Sequence, residues 1–265
     1  MFAPPSTRPT RPRHIAHRGG AGLYPENTLY AFRAAVSRHR TEMLELDVHL
    51  LADGEVVVWH DNTLDRCSDG TGPIATHRWP DLAGLDAGYR WTPDGATFPF
   101  RGKGIGLARL VDVLRAFPNL PINLELKPAD PATAAPLADL LRAEGAVERV
   151  CVGSEHDTVA AALHQALPAA THFYPREALT RFVMTVLTGG TPEDDPRWRV
   201  LDMPAEYGGT WLITPALLEA AHARDRAVNV WTIDDQPTMA RLCKLGVDGI
   251  MTDRPDRLRA VLDAR

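Results

Sequence analysis

The sequence predicts an α/β fold, a TIM (β/α)8 barrel with a small insertion between the early strands. Short apolar, β-branched runs alternate with helical patterns along most of the chain. Strands joined by crossover helices make a parallel sheet with right-handed connections. The length of 265 residues is that of a barrel folding as one domain of roughly 250 residues. A composition 45% hydrophobic and 24% charged supplies a sizeable core.

Residues 1–12, rich in Pro and Arg, read as a flexible tail, and 13–265 as the single barrel domain. The first strand is 14–17. Pro25 and Glu26 then open a helix running to about 38, since Pro and an acid suit a helix start. Residues 43–50 alternate with period two, Asp53-Gly54 signals a tight two-residue turn, and 55–60 follow as a strand. Further strands are expected at 122–126, 149–153, 170–173, 200–203, 228–232 and 249–252. Helical patterns fill 108–117, 132–144, 158–167, 176–187, 215–224 and 237–245, the last stopped by Gly246. That makes nine strand candidates for the eight positions of a barrel. Either 55–60 folds back as a hairpin arm, or the segment near His172 lies outside the barrel. The insertion, about 62–106, is rich in Gly, Pro and aromatics, and so long a break in a compact domain is usually a lid or small module.

A formal charge of −5, from 29 basic and 34 acidic residues, argues against a nucleic-acid surface. Cys67, Cys151 and Cys243 lie far apart without a CxxC pair, so reduced, buried thiols are expected rather than a disulfide framework. The N-terminus lacks the apolar run of a secretory signal, and no 18-residue apolar stretch occurs. A cytoplasmic protein without stable membrane insertion is expected.

Glu45 and Asp47 stand two apart on a predicted strand, so both side chains point the same way. Carboxylates that close repel unless a cation or proton intervenes. An all-oxygen donor set suits Mg²⁺ or Ca²⁺; solvated acids on an exposed strand would share the spacing. Glu125 and Lys127 lie on one face, opposite Leu124 and Leu126. A buried acid needs a partner, so Glu125 is a third cation ligand with Lys127 free for a phosphate, or the two form an ion pair. His17 and His60 both end strands, and a two-residue turn at Asp53-Gly54 places His60 directly opposite Asp47. Two histidines beside such a cluster suggest a general acid and base. Arg18 can bind phosphate bidentately, and the Gly19-Gly20 turn lets backbone N–H groups approach an anion.

His17-Arg-Gly-Gly, Pro25-Glu-Asn-Thr28, Glu45-Leu-Asp-Val, Asp53-Gly54, His60-Asp61, Glu125-Leu-Lys, Val230-Trp-Thr and Asp248-Gly-Ile-Met-Thr-Asp253 together resemble the glycerophosphodiester phosphodiesterase family, over essentially residues 13–260. The resemblance implies a TIM barrel that cleaves glycerophosphodiesters with a divalent cation, Ca²⁺ or Mg²⁺. It implies Glu45, Asp47 and Glu125 as metal ligands and His17 and His60 as the acid–base pair. It further implies Arg18 and Lys127 as phosphate contacts, Trp231 as a wall against the glycerol carbons, and Glu26 and Asn27 as supports or merely the helix start. Two departures fall in or beside the insertion: Gly106-Leu-Ala-Arg replaces a family Pro-Thr-Leu-Glu run, and Cys67 follows Arg66 where Thr is common. The insertion is expected to shape the leaving-alcohol pocket.

The family's reaction would have the glycerol 2-hydroxyl attack first, giving a cyclic phosphate that water opens to glycerol 3-phosphate. Other readings remain. A phosphodiesterase for lysophospholipids or phosphoinositides would show an apolar groove within 62–105 or a membrane-facing aromatic rim. A Mg²⁺-dependent barrel isomerase or lyase would use Lys127 as base. An inactive diester-binding protein would need none of the intact His17, His60 and acids.

Overall fold

The structure, a computed structural model, describes residues 11–264. The chain runs β1 (Arg13–Ala16), α1 (Leu29–His39), β2 (Met43–Leu50) and β3 (Val56–Val58). Then come α2 (Trp79–Leu82), β4 (Ala108–Arg109), α3 (Leu110–Ala116), β5 (Ile122–Leu126), α4 (Ala134–Ala143), β6 (Val150–Gly153), α5 (Asp157–Ala166) and β7 (Thr171–His172). The last third holds α6 (Arg176–Leu187), β8 (Val200–Pro204), β9 (Glu206–Tyr207), β10 (Thr210–Trp211), α7 (Pro215–His222), β11 (Ala227–Trp231), α8 (Gln236–Leu245), β12 (Gly249–Thr252) and α9 (Pro255–Asp263).

Strands β1, β2, β5, β6, β7, β8, β11 and β12 form the barrel: all are parallel, and a Phe173–Val200 bridge joins β7 to β8 and closes the circle. Thr171 and His172 pair with β6, so the segment near His172 is a barrel strand. The extra strand is β3, antiparallel to β2, as the hairpin alternative anticipated. Outward-facing residues such as Leu44, Leu46, Val48, Leu124, Val228 and Val230 pack under the helices in two large apolar clusters. Inward-facing residues stack in layers. Ile15, Met43, Cys151, Val200 and Met251 fill the base. Above them Asn123 and Asn229 both donate to the half-buried Asp202, at 2.6 and 2.8 Å. Burial pushes the Asp202 carboxyl up to about 6 against these two bonds. The acids of β2 and β5 come next, at the mouth.

A Cβ on Gly249 would fall 2.3 Å from Asn229 Oδ1 and 2.7 Å from Ile15 Cδ1. Gly249→Ala is therefore expected to cost about 1–3 kcal/mol by overpacking, read as a fall of several degrees in Tm.

Several sequence expectations need correction. The β2–β3 register pairs Val48 with Val58 and Leu50 with Val56, so His60 does not face Asp47. Leu51 N–H bonds to Glu55 O at 2.9 Å and Gly54 N–H to Leu51 O at 3.0 Å. The loop thus has three residues, with Gly54 at φ 85, the common three-residue hairpin in which a left-handed residue closes a bulge. The first helix starts at Leu29, not Glu26, because Thr28 caps it by accepting from Ala31 N–H at 3.1 Å. The expected tail falls outside the described residues except for Arg11 and Pro12, and Arg11 is pinned to Glu42 at 3.2 Å. The strand pattern also missed β4, which pairs with β3 at residues taken for helix, and the β9–β10 hairpin. Cys67 is half-buried, not buried. Among the described residues no helix is long and apolar enough to cross a membrane.

The segment between β3 and β4 packs round its own cluster, with Trp59, Leu64, Ile74, Leu82 and Leu107 at its centre.

Candidate active site

Where β1 ends, the chain turns sharply: Arg18 sits at φ 51. His17 thereby reaches the barrel axis, its Nδ1 donating to Asp253 Oδ1 at 2.7 Å and its Nε2 3.9 Å from Glu45 Oε2. Two of the turn's amides are already used. Arg18 N–H donates to Glu45 Oε2 at 2.8 Å, and Gly20 N–H to His17 O. The first holds a carboxylate in place and the second closes the turn, so neither stands open to an anion.

Period two along β2 puts Glu45 and Asp47 on the inward face, and both are buried. Asp47 lies beside Glu125 in the β2–β5 register. Lys127 Nζ bridges them, 3.3 Å from Asp47 Oδ1 and 3.2 Å from Glu125 Oε2, so the expected Glu–Lys ion pair exists. Asn27, at φ 57, donates to Asp47 Oδ2 at 2.9 Å. Arg18 Nε lies 3.4 Å from the same oxygen. Burial pushes Glu45 above the usual carboxylate range, and the neighbouring Asp47 charge adds to it. Burial likewise raises Glu125, with Lys127 opposing. Asp47 moves the other way: Lys127 and Arg18 outweigh its burial.

His60 arrives by a different route. Trp59 N–H donates to Asp47 O at 2.9 Å, and the Trp59 indole turns away to donate to Thr63 O. The next residue then swings to the mouth, with its carbonyl accepting from His49 Nε2 at 3.2 Å. His60 Nδ1 donates to Asp61 Oδ1 at 2.6 Å. Arg66 clasps Asp61 at 2.6 and 3.0 Å and Glu26 at 2.7 and 2.7 Å, and Glu26 accepts from Arg18 at 3.0 Å. A continuous chain of ion pairs thus joins His60 to Arg18. Burial lowers the His60 pKa, with Asp47 and Asp61 opposing. For His17 burial also acts downward, but Glu45 and Asp253 prevail and raise it.

All of His17, Arg18, Glu45, Asp47, His60, Glu125, Lys127 and Trp231 line one cleft of 810 Å³ at the C-terminal ends of the strands. Glu26 and Asn27 stand behind it, bonded to Arg18 and Asp47. Asp61, Arg66 and Asp253 were not singled out as site residues. Two had signals: Asp61 directly follows a strand-end histidine, and Asp253 directly follows the last strand. Arg66 has none, because it sits in an aperiodic loop. Among the described residues none of 62–106 lines the cleft. The inserted segment folds onto its own apolar cluster and reaches the site through Arg66. Its expected role in shaping the pocket passes to α6 and the β8–β10 region, whose Val183, Met184, Tyr207 and Leu212 form the far wall.

The family model described as glycerophosphoryl diester phosphodiesterase matches residues 17–257. A probable glycerophosphodiester phosphodiesterase of Mycobacterium tuberculosis is 29% identical, over 95% of this chain and 90% of its own length. A human lysophospholipase D is 26% identical, over 94% and 86% respectively. Among solved structures, a glycerophosphoryl diester phosphodiesterase domain from M. tuberculosis superposes with a TM-score of 0.85 at 21% identity, over 96% of this chain and all of that one.

Proposed function

The chain belongs to the glycerophosphoryl diester phosphodiesterase family, and on that premise we propose that it hydrolyses glycerophosphodiesters to glycerol 3-phosphate and an alcohol in this cleft. The observation that carries the reading is the pair of imidazoles, each oriented by its own carboxylate, Asp253 and Asp61, beside the buried acids. That is the arrangement an acid–base pair needs.

The charge balance favours a divalent cation. Six carboxylates (Glu26, Glu45, Asp47, Asp61, Glu125, Asp253) are joined to only three fixed cations (Arg18, Arg66, Lys127) and the two imidazoles. An anionic diester would be repelled from that field. Glu45, Asp47 and Glu125 would hold the cation, an oxygen donor set suited to Ca²⁺ or Mg²⁺. When bound, it would neutralise the phosphate and acidify a nearby hydroxyl. Arg18 and Lys127 remain charged to hold the phosphate oxygens. Lys127 serves poorly as a base, because Asp47 and Glu125 outweigh its burial and raise its pKa; this disfavours the isomerase reading.

His60, shifted down, is the neutral base that takes the proton from the attacking glycerol 2-hydroxyl. His17, shifted up, is the imidazolium that protonates the departing alcohol. Below the lowered His60 value the base is lost, and above the raised His17 value the acid is lost. kcat/KM is therefore expected to be bell-shaped, one limb below 6.5 and one above it. A flat profile from about pH 5 to 9 counts against the pair. We place the enzyme in the cytoplasm.

Arg66→Gln breaks the clasp on Asp61 and Glu26 together. Outer partners of this kind are typically worth about 10–100-fold in activity, and that loss is expected here. Arg66→Lys should recover only part of it, because one ammonium cannot fork to two carboxylates.

The reading is tested by glycerol 3-phosphate release from glycerophosphocholine with EDTA and with Ca²⁺ or Mg²⁺ restored. Release that ignores the metal removes the cation; no release with either metal removes the activity.

A further inference from the structure

We propose that Asp202 is a specificity-determining residue, a carboxylate in the floor of the cleft that accepts a hydrogen bond from the free primary hydroxyl of the substrate's glycerol. This deepens the diesterase reading above and rests on it. The interior layers of a barrel are usually filled by branched apolar side chains. Here one layer holds Asn123 of β5, Asp202 of β8 and Asn229 of β11 instead. Asn123 Nδ2 donates to Asp202 Oδ2 at 2.6 Å, and Asn229 Nδ2 donates to Oδ1 at 2.8 Å. Among the described residues, five carboxylates line the cleft. Glu45 meets His17, Asp47 and Glu125 meet Lys127, and Glu155 meets Arg176. Asp202 is the one held by neutral amides.

Stability does not account for this layer. Drawing a carboxylate out of water without a cation is costly, and apolar side chains of the same volume would fill the space about as well. The arrangement fits an acceptor kept open for a ligand. A carboxylate has about four acceptor positions, and the two asparagines take two. Asp202 is half-buried and lines the cleft, so the remaining capacity opens on the cavity. Asn123 lies beside Glu45 in the β2–β5 register, so the Asn123–Asp202 bond crosses from the acids to the opposite side of the barrel. There Asp202 pairs with Asn229, and Trp231 lies two residues nearer the mouth on the same strand face. Glycerol carbons against Trp231 therefore have Asp202 beneath them, while the phosphodiester stays on Arg18 and Lys127. Glycerol brings two hydroxyls. The 2-hydroxyl goes to His60 for the reaction. The primary hydroxyl needs an acceptor of its own once the cleft excludes water, and Asp202 supplies it.

The test compares glycerophosphocholine with propane-1,2-diol 1-phosphocholine, which keeps the attacking hydroxyl and the head group but carries a methyl in place of the hydroxymethyl arm. Wild-type kcat/KM is expected to be about 10–100-fold lower on the deoxy substrate, the usual contribution of a hydrogen bond to a charged group. In Asp202→Asn and in Asp202→Ser that ratio should close toward one. A wild-type ratio near one overturns the proposal without any variant and leaves the diesterase reading intact. A ratio that stays large in whichever variant keeps the wild-type Tm places the hydroxyl elsewhere and overturns it too. Calorimetric titration with glycerol 3-phosphate and with propane-1,2-diol 1-phosphate, Ca²⁺ or Mg²⁺ present, reads the same contact without turnover. A Kd lower for glycerol 3-phosphate by the same factor, with the difference lost in the variants, upholds the subsite; if no diester is hydrolysed, only the activity is overturned. Equal Kd values overturn the subsite whatever the turnover.

Discussion

His60→Ala is expected to lower kcat on glycerophosphocholine by about 10²–10⁴-fold, the usual contribution of a positioned acid or base, with little change in Tm. The side chain bonds to Asp61 and stands at the edge of the cleft with a 29% exposed side chain. Its removal opens no core cavity. Asp61 keeps its two bonds from Arg66, so no charge is left bare. The loss should fall on kcat rather than KM, because a proton moves only in the transition state. His17→Ala should show a loss of similar size, and the double variant much less than the product of the two, since the residues act as a unit. A single His60→Ala loss under tenfold, measured with cation saturating, would remove His60 from the chemistry.

Glu45→Gln separates activity from stability. The amide cannot supply the charge that a divalent ion needs, so turnover is expected to fall about 10³-fold or more, the several kcal/mol that a bound metal contributes to charge stabilisation. The cation-free protein should behave in the opposite sense. Glu45 is buried against Asp47, and its folded pKa is raised. A carboxyl raised on folding favours the folded state at acid pH and loses that contribution as pH rises through the folded value. At pH 8 the cation-free wild type therefore carries a buried, crowded charge that Gln lacks, while the Gln carbonyl still accepts from Arg18 N–H. The variant's Tm without metal should equal or exceed the wild type's at pH 8, with the advantage shrinking toward pH 5. Added Ca²⁺ or Mg²⁺ should raise the wild-type Tm and leave the variant nearly unmoved. A variant that loses both activity and Tm would make Glu45 a structural residue.

The placement of the candidate site was largely legible because its residues obey short-range rules. Strand parity alone puts Glu45 with Asp47 and Glu125 with Lys127, and both pairs converge as expected. Asn27 and Glu26 were legible only as alternatives. Their fate turned on whether the helix began at Glu26 or Leu29, and Thr28's hydroxyl decided that through one hydrogen bond. The His60 expectation reached the right place by a wrong register. A loop one residue longer shifts every cross-strand pair, and His60 lies at the mouth because Trp59 leaves the sheet for its own cluster. Arg66 was illegible because a loop residue that bridges two acids, Glu26 lying 40 positions away, has no periodicity to read.

Local pattern thus specified the alternating strands and helices, the barrel they close into, and the face on which each strand-borne acid lies. These depend on the two- and 3.6-residue periods and on chain length, which are written into neighbouring residues. Long-range packing chose which strand stays outside the barrel, how Asp61 and Asp253 bond the two imidazoles and Arg66 bonds Asp61, and where the cleft acquires its apolar wall. Each depends on contacts between segments distant in the chain, whose energies exist only once the barrel has brought them together.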